Sequence, residues 1–381
     1  MKKTIVFCWI YPLNVTNGGI ERVTRRLMDG LSKRGYKCLF VLHDIENNRF
    51  VHNEEEISNL NVFLSKRNVD TLVNQNGYSS QISETLDGAK WQGRYIVCHH
   101  NEPLYLRKVY DLSRVIDEFL APKNTSIIRL SWLARLLSYP IWQKLSVKKI
   151  AKTQERNYRC AHHYVLLSSA FMPQLSRLIG RPEIPKAVAI PNPLSFEIKS
   201  GEVDTFVKKN EVLIVARLND GEKRISMALK AWQEIEAKGP DGWMLKIIGY
   251  GPDAQALEKK AYEMGLKRVV FLGHQEPLPH YRTASIFLMT SRIEGWGLTL
   301  TEAMQSGAVP IAFDAYASLR DIVDDGKTGI IVPNGNVRAF ATSAINLMRD
   351  PERRQSLAEN AVIAVQRFRL DSVLDQWEAI L

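Results

Sequence analysis

Two carboxylates, Glu294 and Glu302, stand in the run Met289 to Pro310, which reads MTSRIEGWGLTLTEAMQSGAVP. The first closes an apolar strand and is followed by Gly295-Trp296-Gly297, which lets backbone approach a ligand. The helix expected to open near Leu298 and Thr299 directs its free N–H groups at the same place. Glu302 is expected in the first turn of that helix, where the dipole favours a negative side chain with or without a ligand. Taken alone, the pair reads as a helix-start device rather than a site.

A second group, Arg217-Leu218-Asn219-Asp220-Gly221-Glu222-Lys223-Arg224, follows the strand EVLIVA directly. Its cations therefore emerge at the carboxyl edge of a sheet, where doubly wound folds bind ligands. The planar fork of Arg217 and the point charge of Lys223 suit a diphosphate, and a solvated turn is the other reading. Gly18-Gly19 either presents N–H groups to a phosphate or makes a tight turn. His99-His100-Asn101 ends another strand and either binds a substrate or caps the strand. Gly249-Tyr250-Gly251-Pro252 superficially resembles a dinucleotide fingerprint but lacks the third glycine, so NAD binding is discounted. No HExxH motif, GxSxG elbow or GxxxxGK[ST] loop is present, which argues against zinc protease, serine hydrolase and P-loop chemistry.

The elements that must position these residues alternate between strand and helix. Thr4 to Ile10 predicts a buried strand, Glu21 to Ser32 a helix ending at Gly35, and Cys38 to Leu42 the next strand. Val62 to Leu64, Tyr95 to Cys98 and His163 to Ser168 continue the strand series. Ile190-Pro191-Asn192-Pro193 closes this half. A second series runs through Glu211 to Ala216, Met244 to Ile248, Val269 to Leu272, Ile286 to Met289 and Val309 to Phe313, interleaved with helices. The fold expected is α/β with two doubly wound domains. The boundaries expected are 1–193 for the first domain, 194–210 for a linker and 211–365 for the second. A helix at 366–381 is expected to pack back on the first.

At 381 residues, 45% hydrophobic and 24% charged, the chain has the make-up of an ordinary folded protein of two domains. Its net charge of +10 calls for an anionic partner. From Lys123 to Arg159 nine Lys or Arg face one acid, Glu155, among Trp132, Leu133, Leu136, Leu137, Tyr139, Ile141 and Trp142. This insert, 107–159 in all, suits an anionic membrane interface, and a core helix pair with a basic outer face is the alternative. Cys8, Cys38, Cys98 and Cys160 are scattered without metal or redox spacing and indicate a reducing compartment. The start, MKKTIVFCWI, superficially resembles a signal peptide, but its apolar run stops at Tyr11-Pro12 and reads as a first strand. No run approaches the ~18 to 20 apolar residues of a spanning helix.

Together these residues resemble the family-4 retaining glycosyltransferases of the GT-B class. The resemblance rests on Gly18-Gly19-Ile20-Glu21-Arg22, on Arg217 with Lys223, on the E-x-F-G-x-x-x-x-E type run from Glu294 to Glu302, and on Gly307-Ala308-Val309-Pro310. It implies a GT-B fold, two Rossmann-like domains facing each other across a cleft. Arg217 and Lys223 would neutralise the donor diphosphate, with Arg224 able to share that role because five residues separate Arg217 from Lys223. Glu294 would face the transferred sugar and Glu302 the ribose hydroxyls. Amides near Trp296, Gly297, Leu298 and Thr299 would hold the sugar or phosphate, and Gly18 and Gly19 would approach the diphosphate. His100, or its neighbour His99, would lie near the sugar, and Gly273 and His274 near the base.

The activity implied is retaining, metal-independent transfer of a hexosyl unit from a nucleotide-diphosphate sugar, taken as UDP-linked, with no cofactor. The acceptor implied is a lipid-linked or lipopolysaccharide-type glycan at the cytoplasmic face of the membrane, with no nucleic-acid partner. A nucleotide-sugar epimerase or glycosyl phosphorylase of the same architecture, or a basic module that only binds, are the alternatives.

Overall fold

A computed structural model of the chain describes residues 3–13, 18–88, 91–105, 126–198 and 207–381, together with 112, 115, 116, 119, 203 and 205. The chain divides into two α/β units, Met1–Ser195 with Phe368–Leu381, and Phe196–Arg367. Both are Rossmann-like, as expected.

In the first unit, β1 (Thr4–Trp9), β2 (Lys37–Asp44), β3 (Arg49–His52), β4 (Glu55–Ile57), β5 (Thr71–Asn74), β6 (Arg94–His99), β7 (His163–Leu166) and β8 (Ala187–Ala189) form one sheet. Their order is β4-β3-β2-β1-β5-β6-β7-β8. Ile5 to Cys8 are wholly buried, as a central parallel strand covered on both faces must be. Helix α1 (Gly19–Lys33) buries Val23, Leu27 and Leu31 on one stripe. A Cβ on Gly30 would stand 2.6 Å from Leu374 Cδ1, so this glycine admits the returning helix Leu370–Glu378. Arg34 then ties that helix down through Asp375 and Glu378, each at 2.6 Å.

The strand expected at Val62 to Leu64 is instead helix α2 (Leu60–Lys66). The Asn59 side chain accepts a hydrogen bond from the Val62 amide at 3.1 Å, and Leu60 and Leu64 bury a common face four residues apart. The described part of the basic insert is a helix pair, α3 (Ser126–Leu137) and α4 (Tyr139–Cys160). Lys123 and most of 107–125 lie outside the described residues. The inner half of α4 joins the core through Ile150, Gln154, Asn157 and Tyr158. Its outer half leaves Ile141 and Leu145 about two-thirds exposed beside exposed Lys144, Lys148, Lys149 and Lys152. Among the described residues no helix is long and apolar enough to cross a membrane.

The second unit holds β9 (Lys209–Val215), β10 (Met244–Ile248), β11 (Val269–Gly273), β12 (Ala284–Met289), β13 (Val309–Asp314) and β14 (Ile330–Pro333). All are parallel, in the order β11-β10-β9-β12-β13-β14. Helices α5 (Ile225–Lys238), α6 (Ala254–Glu263), α7 (Leu298–Gln305), α8 (Val337–Arg349) and α9 (Pro351–Val365) complete the unit. Trp232, Leu245, Phe313 and Phe340 lie in its core with almost no exposure. Truncating a core aromatic of this kind costs about 3–5 kcal/mol. β10 and β11 extend the sheet to one side of the first strand, β9, and β12 to the other. The order therefore reverses between β9 and β12, and the crevice of such a sheet opens at the carboxyl ends of those two strands.

Candidate functional site

At this reversal the chain leaving β9 is held by backbone bonds beyond the regular ladder. Ala216 N–H donates to Ile248 O at 3.0 Å, Leu218 N–H to Tyr250 O at 2.8 Å, and Asp253 N–H to Leu218 O at 3.0 Å. The approach is so close that a Cβ on Gly249 would meet Ala216 O at 1.8 Å, and one on Gly251 would meet Leu218 O at 2.5 Å. The two glycines thus fix the loop bearing Arg217. Leu218 is buried beneath that loop and Arg217 is exposed.

The turn Asp220–Lys223 follows, and its backbone is laced to the loop leaving β12. Arg292 N–H donates to Glu222 O at 2.8 Å, and Thr290 Oγ1 donates to Lys223 O at 2.8 Å. This brings Lys223 Nζ to 2.6 Å from Glu294 Oε1, with the two side chains only 20% and 14% exposed. Arg224 does not join them. It adopts a left-handed backbone (φ 50°), which turns its guanidinium inward to Thr290 O (2.8 Å), Ser291 O (3.2 Å) and Asn334 Oδ1 (2.9 Å). The sharing of a phosphate role foreseen for Arg224 is therefore corrected: its buried charge clamps the β12 loop from within.

Helix α7 starts at Leu298, because Gly297 at φ 80° serves as its N-cap. Leu300 and Thr301 N–H fold back on Gly297 O, which leaves the Leu298 and Thr299 amides leading the helix. Gly295 and the buried Trp296 lie in the turn between Glu294 and this cap. Glu302 is consequently in the second turn, not the first. At 1% exposure it is a buried acid, with Tyr281 donating its hydroxyl proton to Oε2 at 2.9 Å. A solvated helix-start carboxylate does not fit that environment.

Gly273 and His274 are exposed at the end of β11, where Gly273 O accepts from Gly249 N–H at 2.8 Å. The His274 ring meets Tyr250 edge-on, centroids 4.9 Å apart. Tyr250 thus belongs to the same strand edge, although in sequence only its place between two glycines marks it.

In the first unit, Gly18 caps α1 with extended backbone. A Cβ there would fall 2.2 Å from Glu21 Oε2, so the glycine makes room for a carboxylate folded back over the helix start. Glu21 is 7% exposed and accepts from Trp9 Nε1 at 3.1 Å. The Trp9 ring in turn meets His100 edge-on at 6.4 Å. Gly19 opens α1 directly after this cap. The two histidines part company: His100 Nε2 lies 2.6 Å from Gln75 Oε1, whereas His99 packs on Tyr78 with its Nε2 3.2 Å from Gln154. His100 is the one grouped with Trp9 and the start of α1. Burial lowers the pKa of both, His99 to about 4 and His100 to about 3, so both imidazoles are neutral at pH 7.

Among the described residues no group of three or more His, Cys, Asp or Glu is arranged to hold a metal ion. Arg217, Lys223 and Glu294 stand on the loops that leave the carboxyl ends of β9 and β12, two cations and one carboxylate at the reversal of the sheet.

Residues 195–362 match the family described as Glycosyl transferases group 1. The chain is 26% identical over 203 residues to the poly(glycerol-phosphate) alpha-glucosyltransferase of Bacillus subtilis, covering 48% of this chain and 30% of that one. It spans about half the length, or less, of the curated relatives it matches. Two solved structures share the fold over nearly the whole of both chains. The pneumococcal O-GlcNAc transferase GtfA, in complex with UDP and GlcNAc, has a TM-score of 0.70 at 13% identity, covering 99% of this chain and 98% of that one. The lipopolysaccharide outer core galactosyltransferase WaaB has 0.68 at 15% identity, covering 100% and 99%.

Proposed function

We propose that the chain transfers a hexosyl unit from a nucleotide-diphosphate sugar to a glycan hydroxyl, a reading supported by the match of residues 195–362 to the Glycosyl transferases group 1 family. The observation that carries this reading is the cluster at the β9/β12 reversal: exposed Arg217, the Lys223–Glu294 pair at 2.6 Å, and the amides leading α7. In the reaction the bond between the anomeric carbon and the diphosphate breaks, and its electron pair leaves on the diphosphate. Arg217 and Lys223 offset the charge that develops there, so that no metal ion is required. Glu294, the partner of Lys223, accepts from sugar hydroxyls, and Glu302 from the ribose. The acceptor oxygen forms the new glycosidic bond with configuration retained and passes its proton to the departing diphosphate. UDP is the donor nucleotide this reading favours, because UDP occupies the similar GtfA structure.

A thermal-shift screen against UDP, GDP and their sugars, followed by a transfer assay, tests the proposal. A ligand held at 100 times its Kd stabilises by about 2.7 kcal/mol. Arg217→Ala and Glu294→Ala are each expected to lower turnover by roughly 10²–10³. Isomerisation of free nucleotide sugar without transfer, or release of sugar that needs inorganic phosphate, would move the reading to an epimerase or a phosphorylase.

The acceptor is proposed to be lipid-linked or lipopolysaccharide-type and to be met at an anionic membrane face, the cytoplasmic one. Support comes from α3 and α4, where Leu130, Leu137, Ile141 and Leu145 stand 60–79% exposed among Lys144, Lys148, Lys149 and Lys152. Each lysine at such a surface contributes about 1 kcal/mol. Replacing all four by Gln is expected to weaken binding to anionic liposomes by about a thousandfold. Equal co-sedimentation of both proteins would end the membrane proposal.

A further inference from the structure

The sheet of the first unit reverses between β1 and β5, and the residue that follows β5 at its carboxyl end is Gln75. Its backbone N–H donates to Cys8 O at 2.9 Å, and the whole residue is buried. Its Oε1 lies 2.6 Å from His100 Nε2. An amide oxygen only accepts, so this contact puts the ring proton on Nε2. A neutral imidazole has one N–H, and Nδ1 then carries a lone pair. Among the described residues, neither His100 Nδ1 nor Gln75 Nε2 has a hydrogen-bond partner, although His100 is only 9% exposed. A buried acceptor and a buried donor left open at the reversal point of a doubly wound sheet make a place for hydroxyl groups.

We propose that Gln75 is a positioning residue that holds His100 as the Nε2–H tautomer, so that Nδ1 accepts a hydrogen bond from a substrate hydroxyl and the ring works uncharged. The inference deepens the function proposed above and rests on it for the identity of the hydroxyl.

The residue type at position 75 follows from this role. Glutamate there would set a carboxylate against Nε2 and draw a second proton onto the ring, making both nitrogens donors and removing the acceptor. The surroundings keep the ring neutral. β6 places the neutral His99 and the thiol of Cys98 beside it, and α1 presents Val23 and Leu27 with the Glu21 carboxylate turned to Trp9 Nε1. Val165 and Leu167 at the end of β7, Ile190 to Pro193 and Trp377 bring no charge. Burial, reinforced by His99, pushes the His100 pKa down to about 3.

The test is long-range ¹H–¹⁵N correlation on the full chain labelled with [¹⁵N]histidine, the His100 signal being assigned by its loss in His100→Asn. The expected pattern is a neutral Nε2–H ring across roughly pH 5 to 8, where an ordinary histidine titrates. Gln75→Glu is expected to introduce a proton uptake at His100 within that window, and kcat should then rise with pH. Gln75→Met, which keeps the volume and removes the amide, should lose the single tautomer and lower kcat about ten- to a hundredfold while donor KM stays within about threefold. An Nδ1–H ring in the unmodified chain overturns the inference, as does Gln75→Met with unchanged tautomer and turnover. The tautomer is read without substrate. Absence of sugar transfer therefore counts against the proposed function, and a wrong tautomer counts against the role of Gln75.

Discussion

Lowering the pH from about 7 to about 5 is expected to destabilise the first unit through His99 and His100. Both are buried and neutral in the folded chain, with pKa values of about 4 and about 3. In the unfolded chain each returns to about 6.5. The folded values are depressed, so the stability these residues contribute is complete above pH 6.5 and is lost as pH falls toward 4 and 3. In that window the unfolded chain binds one more proton per histidine, a slope of about 1.4 kcal/mol per pH unit each. Between pH 7 and pH 5 this amounts to about 2 kcal/mol per residue, or about 4 kcal/mol for the pair. Repulsion between the adjacent rings does not enter, since neither is charged in the folded state above pH 5. Asp44, held at about 2 by Asn47 and Arg49, contributes only below about pH 4, whereas His43, pushed down to about 4 by burial, and His162 and His163, also lowered by burial, add to the loss in the same window. A loss of 4 kcal/mol is a large part of the 5–15 kcal/mol typical of a domain. The assay is urea unfolding at several pH values, with hydrogen exchange to follow peptides of the first unit. His99→Phe, which keeps a ring among Tyr78, Tyr105 and Tyr164, is expected to lower the slope by one proton's worth. A variant slope equal to that of the unmodified chain would refute the assignment of the acid sensitivity to these residues.

Three further outcomes follow from the second unit. Gly249→Ala forces a Cβ to 1.8 Å from Ala216 O at a backbone φ of 147°, and is expected to cost more than about 3 kcal/mol in unfolding free energy, read from the urea midpoint. Glu302→Gln removes the charge beside Tyr281 and is expected to raise donor KM about tenfold with a smaller change in kcat, measured by initial rates over donor concentration. Arg224→Met is expected to destabilise by about 3 kcal/mol, because two buried carbonyls on the β12 loop, Thr290 O and Ser291 O, and the Asn334 side chain after β14 lose their donor; a melting curve identical to that of the unmodified chain would show that the clamp is idle.

The strand-loop-helix order was legible because each relevant signal is local. Continuous apolar runs such as Ile5 to Cys8 and Val212 to Ile214 mark strands covered on both faces, and a chemistry-bearing loop follows each at once. Contacts between distant positions are silent in a single sequence. Nothing near Gly249 announces that Ala216 will press against it, and nothing near Gly18 announces the Glu21 carboxylate folded over it. Val62 to Leu64 has strand-forming residues, but the short helix wins because Asn59 caps it and Leu60 pairs with Leu64 across one turn. The motif around Arg224 holds two cations side by side, and spacing alone cannot separate them. The backbone does, since a positive φ at Arg224 turns one charge inward and leaves Lys223 to meet Glu294.

The same reasoning bears on why Lys223 pairs with an acid at all. An exposed Arg217 keeps its hydration, whereas a lysine four-fifths buried has given up most of its water and gains from a counter-charge. Glu294 supplies that counter-charge at 2.6 Å, and by doing so it gives up part of its own capacity to bind hydroxyls. Under the proposed function, a diphosphate bound at Lys223 is expected to replace Glu294 as the partner and free the carboxylate. The expected consequence is that nucleotide binding and sugar binding are coupled through one exchange of partners. Free sugar should bind the chain at least about tenfold more tightly with the nucleoside diphosphate present, a coupling of about 1.4 kcal/mol. Titration of glucose or galactose with and without UDP, followed by calorimetry, measures it, and equal affinities would show that the Lys223–Glu294 pair is not the link.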